Sequence, residues 1–125
     1  MMKVKGLHVL AEIFDCDMDL LADLDQLETI VKDTAAESGL VVEDSLFHQY
    51  NQEGISGVLL APHANMSVHT WPQSRRLVVD IISCAEDIHP LASFDSLISK
   101  FNASHMTAEF NKREIDVGSV ETLVS

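Results

Sequence analysis

Short apolar runs separated by turn residues constrain the fold of this chain more than any other feature. The clearest run is RRLVVDIISC at residues 75–84, in which Val78, Asp80 and Ile82 alternate with a fully apolar set. A two-residue period is typical of a strand whose two faces meet different surroundings. Similar runs predict further strands at 4–14, 40–50, 55–61, 66–70 and 104–110.

Two other segments follow the 3.6-residue period of an amphipathic helix. The first is predicted to begin at a cap formed by Asp17 or Asp19 and to run to about Ser38, where Gly39 can end it with a positive φ angle. The second begins at Pro90, a residue suited to a first helical turn. The predicted buried stripes are Leu20, Leu21, Leu24, Leu27, Ile30, Val31 and Ala35 in the first helix and Leu91, Phe94, Leu97, Ile98 and Phe101 in the second.

The predicted element order is therefore β-α-β-β-β-β-α-β. Neighbouring strands joined by short turns, such as Asn51–Gly54, favour a mostly antiparallel sheet, and the two helices can cover one of its faces. We expect one α+β domain over residues 1–125, built as a two-layer α/β sandwich. The face that carries Val78 and Ile82 then needs cover, which predicts a homodimer with its sheets packed face to face.

Charge and composition exclude several classes of protein. The chain of 125 residues has 20 acidic and 8 basic side chains, a formal charge of −12, which argues against nucleic-acid and anionic-membrane partners. No basic segment followed by an apolar run opens the chain, and no apolar stretch approaches the ~20 residues of a membrane span. Two cysteines without a CxxC pair predict a reduced, cytoplasmic protein, and the six histidines show no zinc-ligand spacing.

Strand parity suggests where chemistry could take place. His69 falls on the same strand face as Asn65 and Ser67, and Cys84 continues the face of Asp80. If the more apolar faces meet the helices, the histidine and the cysteine both point to the helix-free side, where they could form an acid/base pair. On periodicity alone, a purely structural role for both residues is favoured over such a pair.

Four segments carry a family resemblance: GLHVLAEIFDCD near the start, FHQYNQEGISGVLL, SVHTWP, and VVDIISCAEDIHP. Together, over about residues 5–90, they resemble the small prokaryotic S-adenosylmethionine decarboxylases of spermidine biosynthesis. The resemblance implies an α/β sandwich that works as a dimer. It also implies a proenzyme that cleaves itself before a serine, which becomes a pyruvoyl group serving as the electron sink for loss of CO₂.

The resemblance also assigns roles to individual residues. His69 matches the histidine that assists self-cleavage, Ser56 the serine used with it, and Cys84 the proton-donating cysteine. Tyr50 matches an aromatic residue that stacks on the adenine. Trp71 belongs to the family motif, although a large core residue is an equally good interpretation of it.

Two departures from the family pattern bear directly on function. The family has Glu-Ser five residues before the motif histidine, and this chain has His63-Ala64 there. Ala64 has no hydroxyl and cannot become a pyruvoyl group. Four residues after the histidine, the family usually has a glutamate that binds the ribose hydroxyls, and this chain has Gln73. The glutamine can still accept a hydrogen bond, but the charge-assisted one is lost. Ser67 and Ser56 are the two other serines considered as replacements, and neither is expected to supply the missing nucleophile.

The clustering of these departures indicates natural divergence rather than a single engineered change. Three hypotheses follow. The chain is a decarboxylase-family protein that does not process itself; or it is a non-catalytic homologue that binds an adenosyl ligand or regulates an active paralogue; or it is an enzyme with a new reaction in the old pocket. Glu12, in the shared HVLAE segment, either is a buried structural acid or lines the site.

Overall fold

A computed structural model describes residues 3–51, 53–84 and 89–116. The strands are β1 Lys3–Phe14, β2 Asp44–Tyr50, β3 Gly54–Ala61, β4 Ala64–Trp71, β5 Arg76–Ser83 and β6 His105–Asp116. The helices are α1 Met18–Leu21, α2 Leu24–Glu37 and α3 Pro90–Lys100, with a 3₁₀ turn at Pro72–Ser74.

The strands form one six-stranded sheet in the order β2-β3-β4-β5-β1-β6. Every neighbouring pair is antiparallel, from β2–β3 at one edge to β1–β6 at the other. Strands β2 to β5 follow one another as hairpins, whereas β1 and β6 complete the sheet from the two ends of the chain. The predicted α+β sandwich with a mostly antiparallel sheet is confirmed.

The core lies between the helices and one face of the sheet. It contains the apolar set predicted from strand parity, since Met66 and Val68 of β4 and the odd-numbered residues 77–81 of β5 are fully buried. Helices α2 and α3 contribute Leu27, Val31, Phe94 and Leu97 to the same cluster. The prediction that Leu91 is buried is wrong: it is 64% exposed, and in the first turn of α3 Pro90 is the buried residue instead.

The predicted first helix is two helices. Asp17 caps α1 by accepting the N–H groups of Asp19 and Leu20, and Asp23 then caps α2 by accepting that of Gln26. An aspartate that satisfies free N–H groups starts a new helix, which explains the break between Leu21 and Leu24.

The end of α2 corrects the predicted start of the second strand. Gly39 adopts a φ of 96°, and the N–H groups of Gly39 and Leu40 bond to the carbonyls of Ala36 and Ala35. This is a Schellman cap, so Leu40 belongs to the helix terminus and β2 begins only at Asp44.

The last strand is longer than predicted. Strand β6 continues beyond Phe110 to Asp116 by pairing along the whole of β1. Residues 85–88, which belong to the VVDIISCAEDIHP segment, lie outside the described residues. Among the helices that the structure describes, none has the length and apolar character needed to cross a membrane.

The sheet face opposite the helices is called the open face here. Four large apolar side chains on it remain well exposed: Leu10, Leu46, Leu60 and Ile82 are 41, 70, 48 and 44% exposed. A polar pair lies among them, with His8 Nε2 2.8 Å from Asp80 Oδ1.

Candidate functional site

Ser56 and His69 form a hydrogen-bonded pair on the open face. The β3–β4 register places the two residues directly opposite each other, and Ser56 Oγ lies 2.9 Å from His69 Nδ1. Both side chains are partly buried. When the imidazole is neutral with its proton on Nε2, Nδ1 accepts the serine hydroxyl, an arrangement suited to moving a proton.

The glycines on either side of Ser56 allow the close packing that positions it. A side chain at Gly54 would overlap the carbonyl oxygen of Thr70, and one at Gly57 would overlap the ring of Phe47. Thr70 Oγ1 accepts the N–H of Ile55 and donates to the carbonyl of Leu21, both at 2.9 Å. The start of β3 is thereby held against β4 and α1.

A cleft of about 320 Å³ opens beside this pair, within the range of small-molecule sites. We call it the Ser56 cleft. Tyr50 and Trp71 are 52 and 50% exposed, and the Trp71 ring centroid lies 6.2 Å from that of His69. Because it is half exposed, Trp71 is not a core residue. The cleft is lined by Tyr50, Glu53, Gly54, Ile55, Ser56, His69, Thr70, Trp71, Gln73 and Ser74.

Gln73 occupies one wall of the cleft, in the 3₁₀ turn that follows Trp71. Buried Pro72 starts this turn, and Arg75 ends it in a left-handed conformation with a φ of 54°. Arg75 is also tied to the β1–α1 connection, because its Nε donates to the carbonyl of Cys16 and its own carbonyl accepts the Cys16 N–H, both at 2.9 Å. The wall that carries Gln73 is therefore anchored at its end.

The remaining predicted residues lie at the other end of the sheet, which we call the hairpin end and define by His63, Ala64 and Cys84. Pro62 and His63 form the two-residue turn between β3 and β4, and His63 adopts a positive φ of 62°. Ala64 begins β4 opposite Ser83 and packs against the core. The Cys84 N–H donates to the carbonyl of His63 at 2.7 Å, which fixes the cysteine beside the turn.

One protomer does not bring the two groups together. His69 pairs with Val78, and Cys84 lies six residues further along the same strand direction. At ~3.3 Å per residue the separation is about 20 Å, and that between His69 and Ala64 is about 16 Å. His69 and Cys84 share a sheet face, as parity predicted, but within one chain they lie too far apart to form the acid/base pair considered above. Parity fixes the face and not the position along the strand.

The other candidate residues, Ser67 and Glu12, do not form a second candidate site. Ser67 lies two residues from His69, opposite Asp80 and Val58. The Glu12 side chain is 45% exposed, so it is not buried, and its Oε2 lies 3.9 Å from Arg76 Nη1. Glu12 is also outside the lining of the cleft. Within residues 3–51, 53–84 and 89–116, no group of three or more His, Cys, Asp or Glu side chains is placed to hold a metal ion.

Sequence reasoning missed two residues of the cleft region. Glu53 lines the cleft from the β2–β3 turn, and His48 packs edge-on against Tyr50 with centroids 4.6 Å apart. The alternation of β2 and the adjacency of NQEG to GISG were the available signals.

Cys16 is the less available of the two thiols. It is fully buried, and burial raises the pKa of its thiol to about 11. Cys84 is partly exposed at the hairpin end.

Comparison with known proteins identifies the family. A family model described as S-adenosylmethionine decarboxylase matches residues 7–114. The S-adenosylmethionine decarboxylase proenzyme of Pelotomaculum thermopropionicum is 39% identical over 114 residues, covering 91% of this chain and 90% of the relative. That of Clostridium kluyveri is 38% identical over 120 residues, covering 96 and 95%.

A solved structure agrees on the fold. The adenosylmethionine decarboxylase from Aquifex aeolicus superposes with a TM-score of 0.80 at 24% identity, covering 92% of this chain and 95% of that one. The sequence and fold comparisons agree, and the chain belongs to the S-adenosylmethionine decarboxylase family.

Proposed function

We propose that this chain is a member of the family that remains a single polypeptide and does not decarboxylate S-adenosylmethionine, while the Ser56 cleft still binds an adenosyl ligand. The observation that carries the proposal is Ala64, at the position that corresponds by resemblance to the family's cleavage-site serine. Its place in polyamine metabolism and in the cytoplasm is part of the same proposal.

The residues at the hairpin end do not fit a pyruvoyl group. The group derives from a serine hydroxyl that attacks the carbonyl preceding it, and Ala64 offers only a methyl, packed on the core side of β4. The neighbouring His63 is exposed in the hairpin turn and differs from the family's glutamate. Nothing in the described part of the chain supplies another carbonyl electron sink, so we derive no decarboxylation step for the chain as it stands.

The Ser56 cleft, by contrast, retains features that suit an adenosyl compound. Tyr50 and Trp71 offer exposed aromatic faces for a purine, and any flat π-face serves this purpose. Ser56, His69 and Gln73 offer hydrogen-bonding groups along the cleft. Binding and chemistry can separate here because they depend on different atoms.

A homodimer would bring the two ends of the sheet together. Leu10, Leu46, Leu60 and Ile82 are exposed on the open face, around the His8–Asp80 pair, and such exposed apolar side chains favour a second copy as cover. In a face-to-face pair, a two-fold axis that lies between the sheets and crosses the strands reverses strand direction. The Ser56 cleft of one protomer would then face the Cys84 end of its partner, which accounts for their separation in one chain.

The same arrangement favours a second candidate function, a non-catalytic partner of an active paralogue. The observation behind it is the intact Ser56–His69 hydrogen bond in a chain that lacks the nucleophile at Ala64. In a mixed dimer this chain would contribute the Ser56 cleft to a site whose serine belongs to the paralogue. A two-fold dimer has two such sites, each formed by the Ser56 cleft of one chain and the hairpin end of the other. In the mixed dimer, the site that combines this chain's cleft with the paralogue's serine would be complete.

Two measurements test the proposed function. Calorimetry on the purified chain is expected to detect S-adenosylmethionine binding, and an assay of labelled CO₂ release is expected to detect no decarboxylation. The double variant His63→Glu/Ala64→Ser should self-cleave and release CO₂, whereas His63→Glu alone should do neither. Release of CO₂ by the unaltered chain would contradict the account and favour a different reaction centre. Absence of binding at millimolar ligand would favour the regulatory role without a ligand.

A further inference from the structure

Glu53 brings a carboxylate to the Ser56 cleft. It lies in the β2–β3 turn, where its N–H donates to the carbonyl of Tyr50 at 2.9 Å. It is the one acidic side chain among the described residues that line the cleft, and Gln73 on another wall is a neutral amide. Within the described residues, the Glu53 carboxylate forms no hydrogen bond or ion pair that would occupy it.

We propose that Glu53 accepts the ribose hydroxyls of the adenosyl ligand, and so sets the preference of this cleft for nucleosides that carry both hydroxyls. The inference rests on the proposed function. A carboxylate is an acceptor with two oxygens and can take both hydroxyls of a cis-diol at once. Such charge-assisted hydrogen bonds are roughly twice as strong as neutral ones.

The position of Glu53 favours the ribose over the rest of the ligand. Tyr50 offers an exposed ring for the purine, and Glu53 is bonded to the backbone of that same residue. The ribose is attached directly to the purine, so it is the part of the ligand nearest to a group beside the purine platform. The sulfur-bearing end would then extend along the cleft toward Ser56 and His69, which line it as well.

The test uses two adenosyl probes and a matched control. S-Adenosylmethionine and 5′-methylthioadenosine share the adenine and ribose, but only the first carries a charged sulfonium. Glu53→Gln is expected to weaken both about tenfold or more in calorimetry. Glu43→Gln removes the same charge beyond the opposite end of β2, outside the cleft, and should leave both affinities unchanged. Thermal melting of the variants controls for folding.

The role of the diol is tested with 2′-deoxy-5′-methylthioadenosine. The unaltered chain should bind it more weakly than 5′-methylthioadenosine, and Glu53→Gln should remove most of that difference. Equal binding by the unaltered chain and Glu53→Gln overturns the inference alone, as does a loss confined to the charged probe, which would assign Glu53 to the sulfonium. If the unaltered chain binds no adenosyl probe at millimolar concentration, the proposed function fails and this inference with it.

Discussion

Ser56 and His69 lie directly opposite each other on β3 and β4, with the serine oxygen 2.9 Å from the imidazole Nδ1. The pair is built into the sheet by register and by the close backbone packing at Gly54, and it does not depend on the hairpin end. A chain can therefore keep the Ser56–His69 pair while the residues at the hairpin end change. The alanine at position 64 and the intact pair are compatible for that reason.

The proposed composite site predicts complementation between chains. The triple variant His63→Glu/Ala64→Ser/His69→Ala has the nucleophile but lacks the histidine, and the unaltered chain has the reverse. We expect the triple variant to remain whole alone and to be cleaved when the two chains are refolded together. Electrophoresis measures the cleaved fraction.

Two controls make the complementation experiment decisive. The double variant that keeps His69 should cleave by itself, and the single variant His69→Ala should not rescue the triple variant. Cleavage of the triple variant without a partner would show that His69 is dispensable. Failure of the unaltered chain to rescue it would contradict the proposed composite site.

Close packing around Ser56 predicts a large difference between two glycine substitutions. Gly54→Ala forces a methyl against the backbone carbonyl of Thr70 and should lower the free energy of unfolding by about 1–3 kcal/mol. Gly6→Ala, also in a strand, meets its nearest atom at an ordinary 3.4 Å and should change stability little. Chemical denaturation measures both, and equal effects would contradict the described β3–β4 packing.

The cap of α2 predicts a specific acid sensitivity. Hydrogen bonds from the Gln26 backbone and then its side chain hold the pKa of Asp23 below its ordinary value. The ionised form is favoured in the folded state, so its contribution is present above the unfolded pKa and is lost as pH falls through the folded one. Asp23→Asn keeps a capping acceptor and should flatten the acid side of the stability curve, whereas Asp23→Ala should lower Tm at neutral pH by about 3 °C.

The two cysteines should differ in reactivity. Cys16 is fully buried, and burial raises the pKa of its thiol to about 11. At pH 8 the thiol therefore stays protonated and out of contact with the solvent. A thiol reagent is expected to modify the folded chain once, at Cys84, and twice after unfolding in guanidinium. Peptide mapping identifies the site. Labelling of Cys16 in the folded chain would contradict the described core.

The sequence pattern predicted the sheet well, because alternate residues of β4 and β5 face the core and are mostly apolar. It failed where a local interaction overrode the period. Asp23 started a second helix inside an apolar stripe, and the Schellman cap at Gly39 took Leu40 out of the following strand. Leu91 fits the stripe of α3 by spacing, but it lies in the first turn and is exposed, whereas Pro90 is buried there.

The candidate site shows the same limit. Parity put His69 and Cys84 on one face, and the family motif named them, but only the register between β4 and β5 shows that about 20 Å separates them. Glu53 carried no periodic signal because it lies in a turn, and its place in the cleft follows from the way β2 and β3 meet.

The intact mass of the purified chain tests the central claim most directly. Because Ala64 has no hydroxyl with which to attack the preceding carbonyl, we expect one uncleaved species of 13.8 kDa, with the double variant His63→Glu/Ala64→Ser giving two fragments. Two fragments of the unaltered chain that meet near residue 64 would contradict the account.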